Sequence, residues 1–312
     1  MRDSEFGFIA KLAAMFPAPE GVRGIGDDCA VIPRGDGRDT LVSTDLLTEG
    51  VHFLRNRIPP RELGWKTAAV NLSDIAAMGG TPTATFLSLA IPKDCDDGFL
   101  SEIMAGYADA SRAYAAPLLG GDTCASSGAL TLNVTVLGEC PHGHALLRSG
   151  ARPGDTIYVT GTLGESAAGW KAVQSTLPET DLTRALIHRH YHPVPRIAEG
   201  REIAACEGAG AAMDLSDGLA SDLRHILKAS GCGAGIDVNA LPLSAQLRQF
   251  CKEYGTDPLE LALCGGEDYE LLFTLRPGTT PPVPCTAIGT IHAGSGLVWK
   301  GTDRDFTGFT HF

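Results

Sequence analysis

The chain has 312 residues, of which 44% are hydrophobic, and its formal net charge at pH 7 is −12. This length and apolar content predict two domains, each able to bury a core. The negative charge disfavours non-specific binding of nucleic acid, which needs Lys and Arg on phosphates, but Mg²⁺ held by carboxylates can still bring phosphate ligands to an acidic site.

In the first half of the chain, predicted helices and strands alternate. The apolar spacing of EFGFIAKLAAMF predicts a first helix, and DCAVI and TLVSTDLL predict strands. A second helix is expected to begin near Pro60 and to end at Gly79–Gly80, and a third follows Asp96 or Asp97 as its N-cap. TATFLSLAI and ALTLNVTVLGEC predict two more strands, so the first half is expected to form an α/β or α+β layer.

Residues 141–155, PHGHALLRSGARPGD, are rich in Gly, Pro and His. We interpret this segment as the connection from an N-terminal domain, residues 1–140, into a C-terminal domain, residues 141–312. Beyond it, strands are predicted for TIYVTG, AAMDLSD, GAGIDV, EDYELLFTL, CTAIGTI and GLVWK. Helices are predicted for ESAAGWKAVQS, HPVPRIAEGREIAAC and GLASDLRHILKAS.

The cysteines and the N-terminus bear on the compartment. Nine cysteines are scattered without a CxxC pair, which is typical of reduced thiols in a cytoplasmic protein and disfavours a zinc site of paired cysteines. Asp3 and Glu5 do not fit a signal peptide, and no stretch approaches the roughly 20 apolar residues of a membrane span. We therefore expect a cytoplasmic protein that binds neither membrane nor nucleic acid.

Acidic residues recur at the ends of predicted elements, beside glycine or small polar residues. They are Asp27 and Asp28 in GIGDDCAVI, Asp45 in VSTD, Asp74 in NLSDIAAMGG, Asp122 in LLGGDT, Asp214 and Asp217 in MDLSDGL, and Glu267 and Asp268 in CGGEDYEL. Each has a simpler structural explanation, such as a helix cap at Asp217 or a glycine turn at Asp122. Together they indicate bound Mg²⁺, because clustered carboxylates repel and this cation prefers oxygen ligands. Ser43 and Thr44 could add hydroxyl or backbone ligands beside Asp45.

Two glycine pairs suit the close approach of a phosphate. Gly120–Gly121 and Gly265–Gly266 allow backbone N–H groups to come near a ligand. The P-loop pattern GxxxxGK[ST] is absent, and so are the protein-kinase motifs. A nucleotide site in this chain is therefore expected to be of another type.

The motifs and their order resemble those of the thiamine-monophosphate kinase family. The matching segments are GIGDDCAVI, VSTDLLTEGVHF, NLSDIAAMGGTP, LLGGDT, VTGTLGESAAG, MDLSDGLASDL and GGEDYELLFT, from about residue 5 to the C-terminus. Looser forms of GDD, NLSDIAAMG, SDGL and GGED are shared by the wider superfamily of enzymes resembling aminoimidazole ribonucleotide synthetase. TEGVHF and GGEDYELLFT are more specific to the thiamine-phosphate enzymes.

The resemblance implies a fold and a reaction. The expected fold is α/β (α+β) with two domains of the aminoimidazole ribonucleotide synthetase-like type. Two N-terminal sheet domains would form a barrel in a homodimer, beside a C-terminal α/β domain. The expected reaction transfers the γ-phosphoryl group of ATP directly and in line to thiamine monophosphate, giving thiamine diphosphate and ADP. The acceptor is already an anionic phosphate oxygen, so several Mg²⁺ ions and correct positioning, rather than a general base, would assist the transfer.

The resemblance also implies site residues. The metal ligands would be Asp28, Ser43, Thr44, Asp45, Asp74, Asp122, Asp214 and Asp217. Asp27 is the less favoured ligand of the adjacent pair. ATP would contact Gly121, Asp122, Arg148 and Ser216. Thiamine monophosphate would contact His52 and Glu267, and Phe309 would stack on it.

Two alternatives remain at this point. The first is another enzyme of the superfamily, such as a purine-pathway synthetase, a selenophosphate synthetase or a hydrogenase-maturation protein. Selenophosphate synthetase would require a reactive cysteine or selenocysteine in the N-terminal segment, but no cysteine precedes Cys29. The second is a catalytically silent nucleotide- or metal-binding regulator, which missing acids would favour, yet every expected acid is present.

Overall fold

A computed structural model describes residues 5–308 as two β-sheets with helices packed on them. The first sheet comprises β1 (Ala30–Pro33), β2 (Arg38–Thr48), β3 (Thr81–Pro92), β4 (Leu118–Ser126) and β5 (Thr131–Pro141). Its strand order is β1-β2-β5-β3-β4, and only β3 and β4 run parallel. The helices in this half of the chain are α1 (Glu5–Met15), α2 (Pro60–Ala77) and α3 (Asp97–Ala113). β5 alternates buried with half-buried residues along its length, as its apolar alternation predicts.

The second sheet has six strands, namely β6 (Thr156–Val159), β7 (Ala209–Asp214), β8 (Gly233–Asp237), β9 (Leu271–Leu275), β10 (Thr286–His292) and β11 (Leu297–Lys300). Their order is β11-β8-β10-β6-β9-β7, and only β8 and β11 run parallel. Its helices are α4 (Glu165–Gln174), α5 (Asp181–Tyr191), α6 (Ile197–Ala204), α7 (Leu219–Ser230), α8 (Ala245–Tyr254) and α9 (Pro258–Cys264). Short 3-10 turns cover Arg148–Gly150 and Val238–Ala240.

Several local predictions are confirmed. α2 begins at Pro60, and Gly79 follows its end in the left-handed region at φ +69°. Asp96 is the N-cap of α3, since its side chain accepts a hydrogen bond from the backbone N–H of Phe99 at 2.9 Å.

Two predicted boundaries are wrong, and three helices were not predicted. The helix expected over HPVPRIAEGREIAAC begins only at Ile197, because Pro193 and Pro195 disfavour helical backbone before them. The strand expected over EDYELLFTL begins only at Leu271, because Glu267 and Tyr269 adopt positive φ angles of 57° and 51°. Helices α5, α8 and α9 and strand β4 lie in segments for which no element was predicted, and Asp122, which a glycine turn would have explained, lies on β4.

Helix α2 is the central element of the fold, and thirteen of its 18 residues are buried. It meets α3 backbone to backbone: a Cβ atom on Gly64 would lie 1.9 Å from the carbonyl oxygen of Ile103, so no larger residue fits. At its other end, Ala76 and Ala77 belong to a hydrophobic cluster that includes Phe273 of β9. α2 therefore contacts both halves of the molecule.

The described residues contain no helix that is both long and apolar enough to cross a membrane. All nine cysteines fall within the described residues, and none of them forms a disulfide.

Candidate active site

Three carboxylates from distant parts of the sequence meet between the two sheets. Asp28 precedes β1, Asp74 lies in the last turn of α2, and Asp214 ends β7. Each offers a carboxylate oxygen within 4.8 Å of the others. Ser43 donates a hydrogen bond to Asp74 at 2.5 Å, and Ser73 donates one to Asp214 at 2.5 Å. The fold thus brings together three of the acids that the sequence analysis singles out.

Burial and mutual repulsion raise the pKa values of these carboxyl groups. Burial, reinforced by the neighbouring carboxylates, raises the pKa of Asp74 well above its usual value and that of Asp214 to about 8. Burial also raises the pKa of Asp28, although Arg148, which donates a hydrogen bond to this carboxylate, opposes the shift. Burial and the charge of Asp28 raise the pKa of Asp45 to about 6. A cation placed here would relieve this repulsion.

The residues present fit Mg²⁺. Asp28 Oδ2 is buried and has no hydrogen-bond partner, so it is available to a cation. The surrounding donors are carboxylate and hydroxyl oxygens, which are the ligands that Mg²⁺ prefers. Burying several carboxylates without a compensating charge would be strongly unfavourable.

A cavity of about 330 Å³ lies beside the acidic cluster. One group of lining residues is acidic and comprises Asp45, Asp74, Asp214 and Asp217. A second group comprises His52, Trp170 and Glu267. Trp170 and Glu267 both contact His190. The His190 ring stacks on the Trp170 ring, and His190 Nδ1 lies 3.2 Å from Glu267 Oε2. The cavity therefore combines an acidic region that suits a cation with a region that suits an organic ring.

Glu267 is held in the cavity wall by two interlocked loops. Its backbone N–H donates to the carbonyl oxygen of Ser216 at 2.8 Å, and its own φ is +57°. At the preceding Gly266, φ is +68°, and a Cβ atom would lie 2.5 Å from the same Ser216 oxygen. Only glycine fits at position 266, so Gly266 allows the close approach of one loop to the other.

Lys66 is a site residue that the sequence analysis missed. Its side chain is fully buried, and Nζ lies 3.1 Å from Glu267 Oε2 and 3.2 Å from His190 Nε2. Burial alone would raise the pKa of Glu267, but the Lys66 ammonium lowers it below the usual value. Burial together with Lys66 lowers the pKa of His190 to about 3. The signal available in the sequence was a lysine within the apolar helical run of WKTAAV.

Asp222, on α7, was also not predicted. It is buried, and its Oδ2 accepts a hydrogen bond from the backbone N–H of Asp217 at 3.1 Å. Burial, followed by the charges of Asp217 and Asp214, raises its pKa well above the usual value.

Asp268 turns away from the cavity, because its carboxylate accepts a hydrogen bond from the backbone N–H of Gly164 at 2.8 Å, next to the start of α4. This hydrogen bond at the N-terminus of α4 gives Asp268 a structural role similar to that of a helix-capping residue.

The remaining predicted residues are placed as follows. Ser216 and Asp217 line the cavity with His52, whose Nδ1 accepts a hydrogen bond from the backbone N–H of Thr48 at 3.0 Å. The hydroxyl of Thr44 donates to Val134 O at 3.0 Å, on the sheet face opposite to Ser43 and Asp45, so only its backbone can serve the cluster. Arg148 lies in the 3-10 turn and pairs with Asp28. Phe309 lies outside the described residues.

Asp122 does not join the carboxylate cluster within one chain. Gly121 and Asp122 lie on β4, an exposed edge strand. The register places Gly121 in the same row as Leu87, Val134 and Asp45, three strand spacings from β2. At roughly 4.8 Å per spacing, this is about 14 Å. The roles predicted for Gly121 and Asp122 stay predictions.

The arrangement of two mixed sheets around an acid-lined cavity can now be compared with known protein families. Models of the AIR synthase related proteins match the chain twice, the N-terminal domain over residues 26–140 and the C-terminal domain over residues 152–279. The fold is accordingly that of two AIR synthase-like domains with mixed α/β sheets, as the sequence predicts.

Comparison with individual proteins narrows this class. Thiamine-monophosphate kinase of Salmonella typhimurium is 44% identical over 305 residues, which is 93% of this chain and 91% of the relative. The enzyme of the same name from Escherichia coli is 43% identical over 305 residues, with the same coverage. A solved structure of AaThiL complexed with AMPPCP and TMP superposes with a TM-score of 0.92 at 36% identity, covering 100% of this chain and 99% of that one. The chain belongs to the thiamine-monophosphate kinase family.

Proposed function

We propose that this protein phosphorylates thiamine monophosphate with ATP, giving thiamine diphosphate and ADP. One observation carries the proposal: the same cavity holds a buried carboxylate cluster that suits metal-bound phosphates and an aromatic and carboxylate region that suits an organic cation. Glu267 is ionised beside Lys66, and the Trp170 ring lies near it, so this region can receive a flat, positively charged ring system. The complex of AaThiL with AMPPCP and TMP also supports the proposal.

The transfer is proposed to be direct and in line. The acceptor is a phosphate oxygen that is already anionic, so the main requirements are positioning and neutralisation of charge. The nucleotide would be bound by Gly121, Asp122, Arg148 and Ser216. Thiamine monophosphate would be bound by His52, Glu267 and Phe309. Arg148 would shift from Asp28 toward the ATP phosphates when nucleotide binds, since a guanidinium fork suits both oxyanions.

Mg²⁺ is the cation proposed for the acidic cluster. Several Mg²⁺ ions would share Asp28, Ser43, the backbone of Thr44, Asp45, Asp74, Asp214 and Asp217 as ligands, and Asp122 would contribute only where subunit pairing brings β4 to a cluster. When bound, the ions neutralise phosphate charge and align the donor with the acceptor. In this proposal Ser43 and Ser73 orient Asp74 and Asp214 through their short hydrogen bonds, so that both carboxylates face the cavity.

A homodimer is also proposed, with the barrel formed by two copies of the first sheet. The support is β4, an exposed edge strand whose neighbourhood presents Phe86, Leu118 and Leu119, at 39%, 39% and 65% exposure. Pairing through β4 would place Asp122 at the subunit interface. Light scattering of the purified protein tests the dimer, and a monomeric mass at micromolar concentration would overturn it.

We also propose that residues 1–140 and 141–312 form the two domains and that the protein is located in the cytoplasm.

The reaction is tested by a phosphorus NMR time course with ATP, Mg²⁺ and thiamine monophosphate. The expected result is thiamine diphosphate in amounts equal to ADP, and no reaction without Mg²⁺. Hydrolysis of ATP without thiamine diphosphate would overturn the proposal. Direct transfer further predicts no exchange of label between ADP and ATP in the absence of thiamine monophosphate, because no phosphoenzyme forms.

A further inference from the structure

A second group of metal-ligating side chains lies outside the cavity, where α2 meets α5. It consists of Glu62 in the first turn of α2, His188 in the last turn of α5 and His192, the C-cap residue of α5. Each offers one ligand atom within 4.8 Å of the others. We propose that Glu62, His188 and His192 bind a Zn²⁺ ion that joins the two helices. The proposal does not depend on the proposed kinase activity.

The spacing of the two histidines suits one shared ion. The backbone N–H of His192 donates to His188 O at 2.8 Å, so the helical turn is maintained and both rings lie on one face. Their ring centroids are 4.9 Å apart and the planes differ by 27°. Two imidazoles bound to one tetrahedral Zn²⁺ through nitrogens at about 2.1 Å have centroids roughly 5 Å apart, so the observed separation of the rings is compatible with a shared ion.

Glu62 provides the third ligand from the other helix. Its Oε2 lies 2.7 Å from His192 Nδ1, and its Oε1 lies 3.9 Å from His188 Nδ1. Ligands of a tetrahedral zinc ion lie roughly 3.4 Å apart, between these two values.

Neighbouring groups fix the geometry of this site before an ion binds. The His192 ring stacks on the Trp65 indole with centroids 3.9 Å apart and planes 14° apart. Trp65 is itself fixed, because its Nε1–H donates to Pro193 O at 2.8 Å. Partners that orient a metal-ligating histidine strengthen metal binding. The His188 side chain is 63% exposed, which leaves an open path for the ion and for a water molecule as fourth ligand.

The ligand chemistry separates this site from the acidic cluster. Imidazole nitrogens favour Zn²⁺ and do not suit Mg²⁺, which prefers oxygen. Glu62 lies on the helix that also carries Asp74, whereas His188 and His192 belong to the segment packed on the second half. An ion here would therefore fasten the two halves together at a distance from the cavity.

Calorimetric titration of the metal-free full chain with Zn²⁺, in excess Mg²⁺, tests the proposal. The expected result is one Zn²⁺ bound per chain, with affinity at least about tenfold weaker in His188→Ala and in Glu62→Gln. His142→Ala is the matched control, because His142 is similarly exposed and faces a single carboxylate, Asp39; it should bind Zn²⁺ as the parent does. Equal affinity in the parent, His188→Ala and Glu62→Gln, or no binding by the parent, would overturn the proposal.

Two further measurements distinguish Zn²⁺ binding at this site from Zn²⁺ binding at cysteines and from loss of binding caused by misfolding. Zn²⁺ should raise the thermal midpoint of the parent by roughly 5 °C at a hundredfold excess over Kd, and that of His188→Ala by much less. His188 is mostly exposed, so this variant is expected to fold. Co²⁺ in place of Zn²⁺ should give visible bands of nitrogen and oxygen ligation without thiolate charge transfer. A thiolate band lost on blocking the cysteines would assign the ion to them and overturn the proposal.

Discussion

The ammonium group of Lys66 lies 3.1 Å from the carboxylate of Glu267, although 201 residues separate the two along the chain. Lys66 is fully buried within α2, whereas the Glu267 side chain retains 22% exposure in the cavity wall. The pair therefore joins the helix that supports the acidic cluster to the loop that carries the predicted substrate ligand.

Replacement of Lys66 by methionine removes the charge and keeps the length of the side chain. We expect Lys66→Met to lower the free energy of unfolding by about 3 kcal/mol, because Glu267 loses its partner in a mostly dry environment. Urea unfolding measures the change. Lys93→Met, at an exposed position, should alter stability by less than about 0.5 kcal/mol. Equal effects of the two substitutions would contradict the importance of this ion pair.

Glu267→Ala should impair the use of thiamine monophosphate more than that of ATP. Loss of a charged contact to the substrate is expected to raise the KM for thiamine monophosphate by about tenfold or more, with a smaller change for ATP. Steady-state kinetics with each substrate varied in turn gives the comparison. Glu253→Ala removes an exposed glutamate on α8 and should leave both constants unchanged. An equal rise in both KM values would argue against this placement of Glu267.

Asp74→Asn should remove turnover while the protein stays folded. The substitution keeps the shape of the side chain but takes away a cation ligand, so kcat should fall at least about a hundredfold even at saturating Mg²⁺. Asp303→Asn, at an exposed position, is the matched control. Circular dichroism and urea unfolding check the fold, and near-normal turnover of Asp74→Asn would refute the metal assignment.

The metal-free protein should lose stability as pH rises above about 6.5. Asp214 keeps its proton up to a pKa of about 8 when folded but releases it near 4 when unfolded, so folding takes up a proton between these values. A raised acid pKa therefore stabilises the folded state at low pH, and this contribution declines until the pH reaches about 8. His190, with its pKa near 3, adds an opposing effect only below about pH 6.5.

Urea unfolding in a chelating buffer, at about pH 6.5 and about pH 8.5, measures this decline, which should be about 2 kcal/mol. Asp214→Asn should reduce it, and Mg²⁺ should stabilise the protein more at the higher pH, where the carboxylates are ionised. Stability that is equal at both pH values in the chelated parent would contradict the burial of ionisable acids described here.

Substitution of two glycines with nearly the same φ angle distinguishes the cost of backbone strain from the cost of a steric clash with a neighbouring loop. Gly266 has φ +68° with the Ser216 carbonyl in the way of a Cβ atom, whereas Gly255 has φ +64° with open space around it. Gly255→Ala should cost about 1 kcal/mol of stability from backbone strain alone. Gly266→Ala should cost clearly more and should also raise the KM for thiamine monophosphate, because Glu267 follows directly. Indistinguishable unfolding and kinetics for the two variants would count against the interlocked loops.

Local patterns in the sequence were sufficient to predict α2, the cap of α3 and the acids that meet in the cluster. Asp28, Asp74 and Asp214 stood out because each carboxylate occurs beside small residues at the end of an apolar element. Their contact with one another depends on long-range packing, which periodicity does not encode. The family resemblance supplied the missing information on how these segments come together.

Other features could not be predicted for specific physical reasons. A lysine in a helix is usually solvated, so the burial of Lys66 becomes evident only when its partners from α5 and from the loop at Glu267 are in place. Helix α8 has a Ser244 cap and an amphipathic pattern that were not recognised. The side-chain direction of Thr44 follows from strand alternation, once the direction of Asp45 is known.

The burial of α2 on nearly every side has a consequence for how this protein can vary over evolutionary time. One added or deleted residue within the helix would turn all later side chains by 100° and move them 1.5 Å along the axis. Such a change would misplace Lys66, Ser73 and Asp74 together, in addition to forcing side chains against α3. Variation in length is therefore expected to accumulate in the surface loops of related sequences, while the length of the segment from Glu62 to Asp74 stays constant.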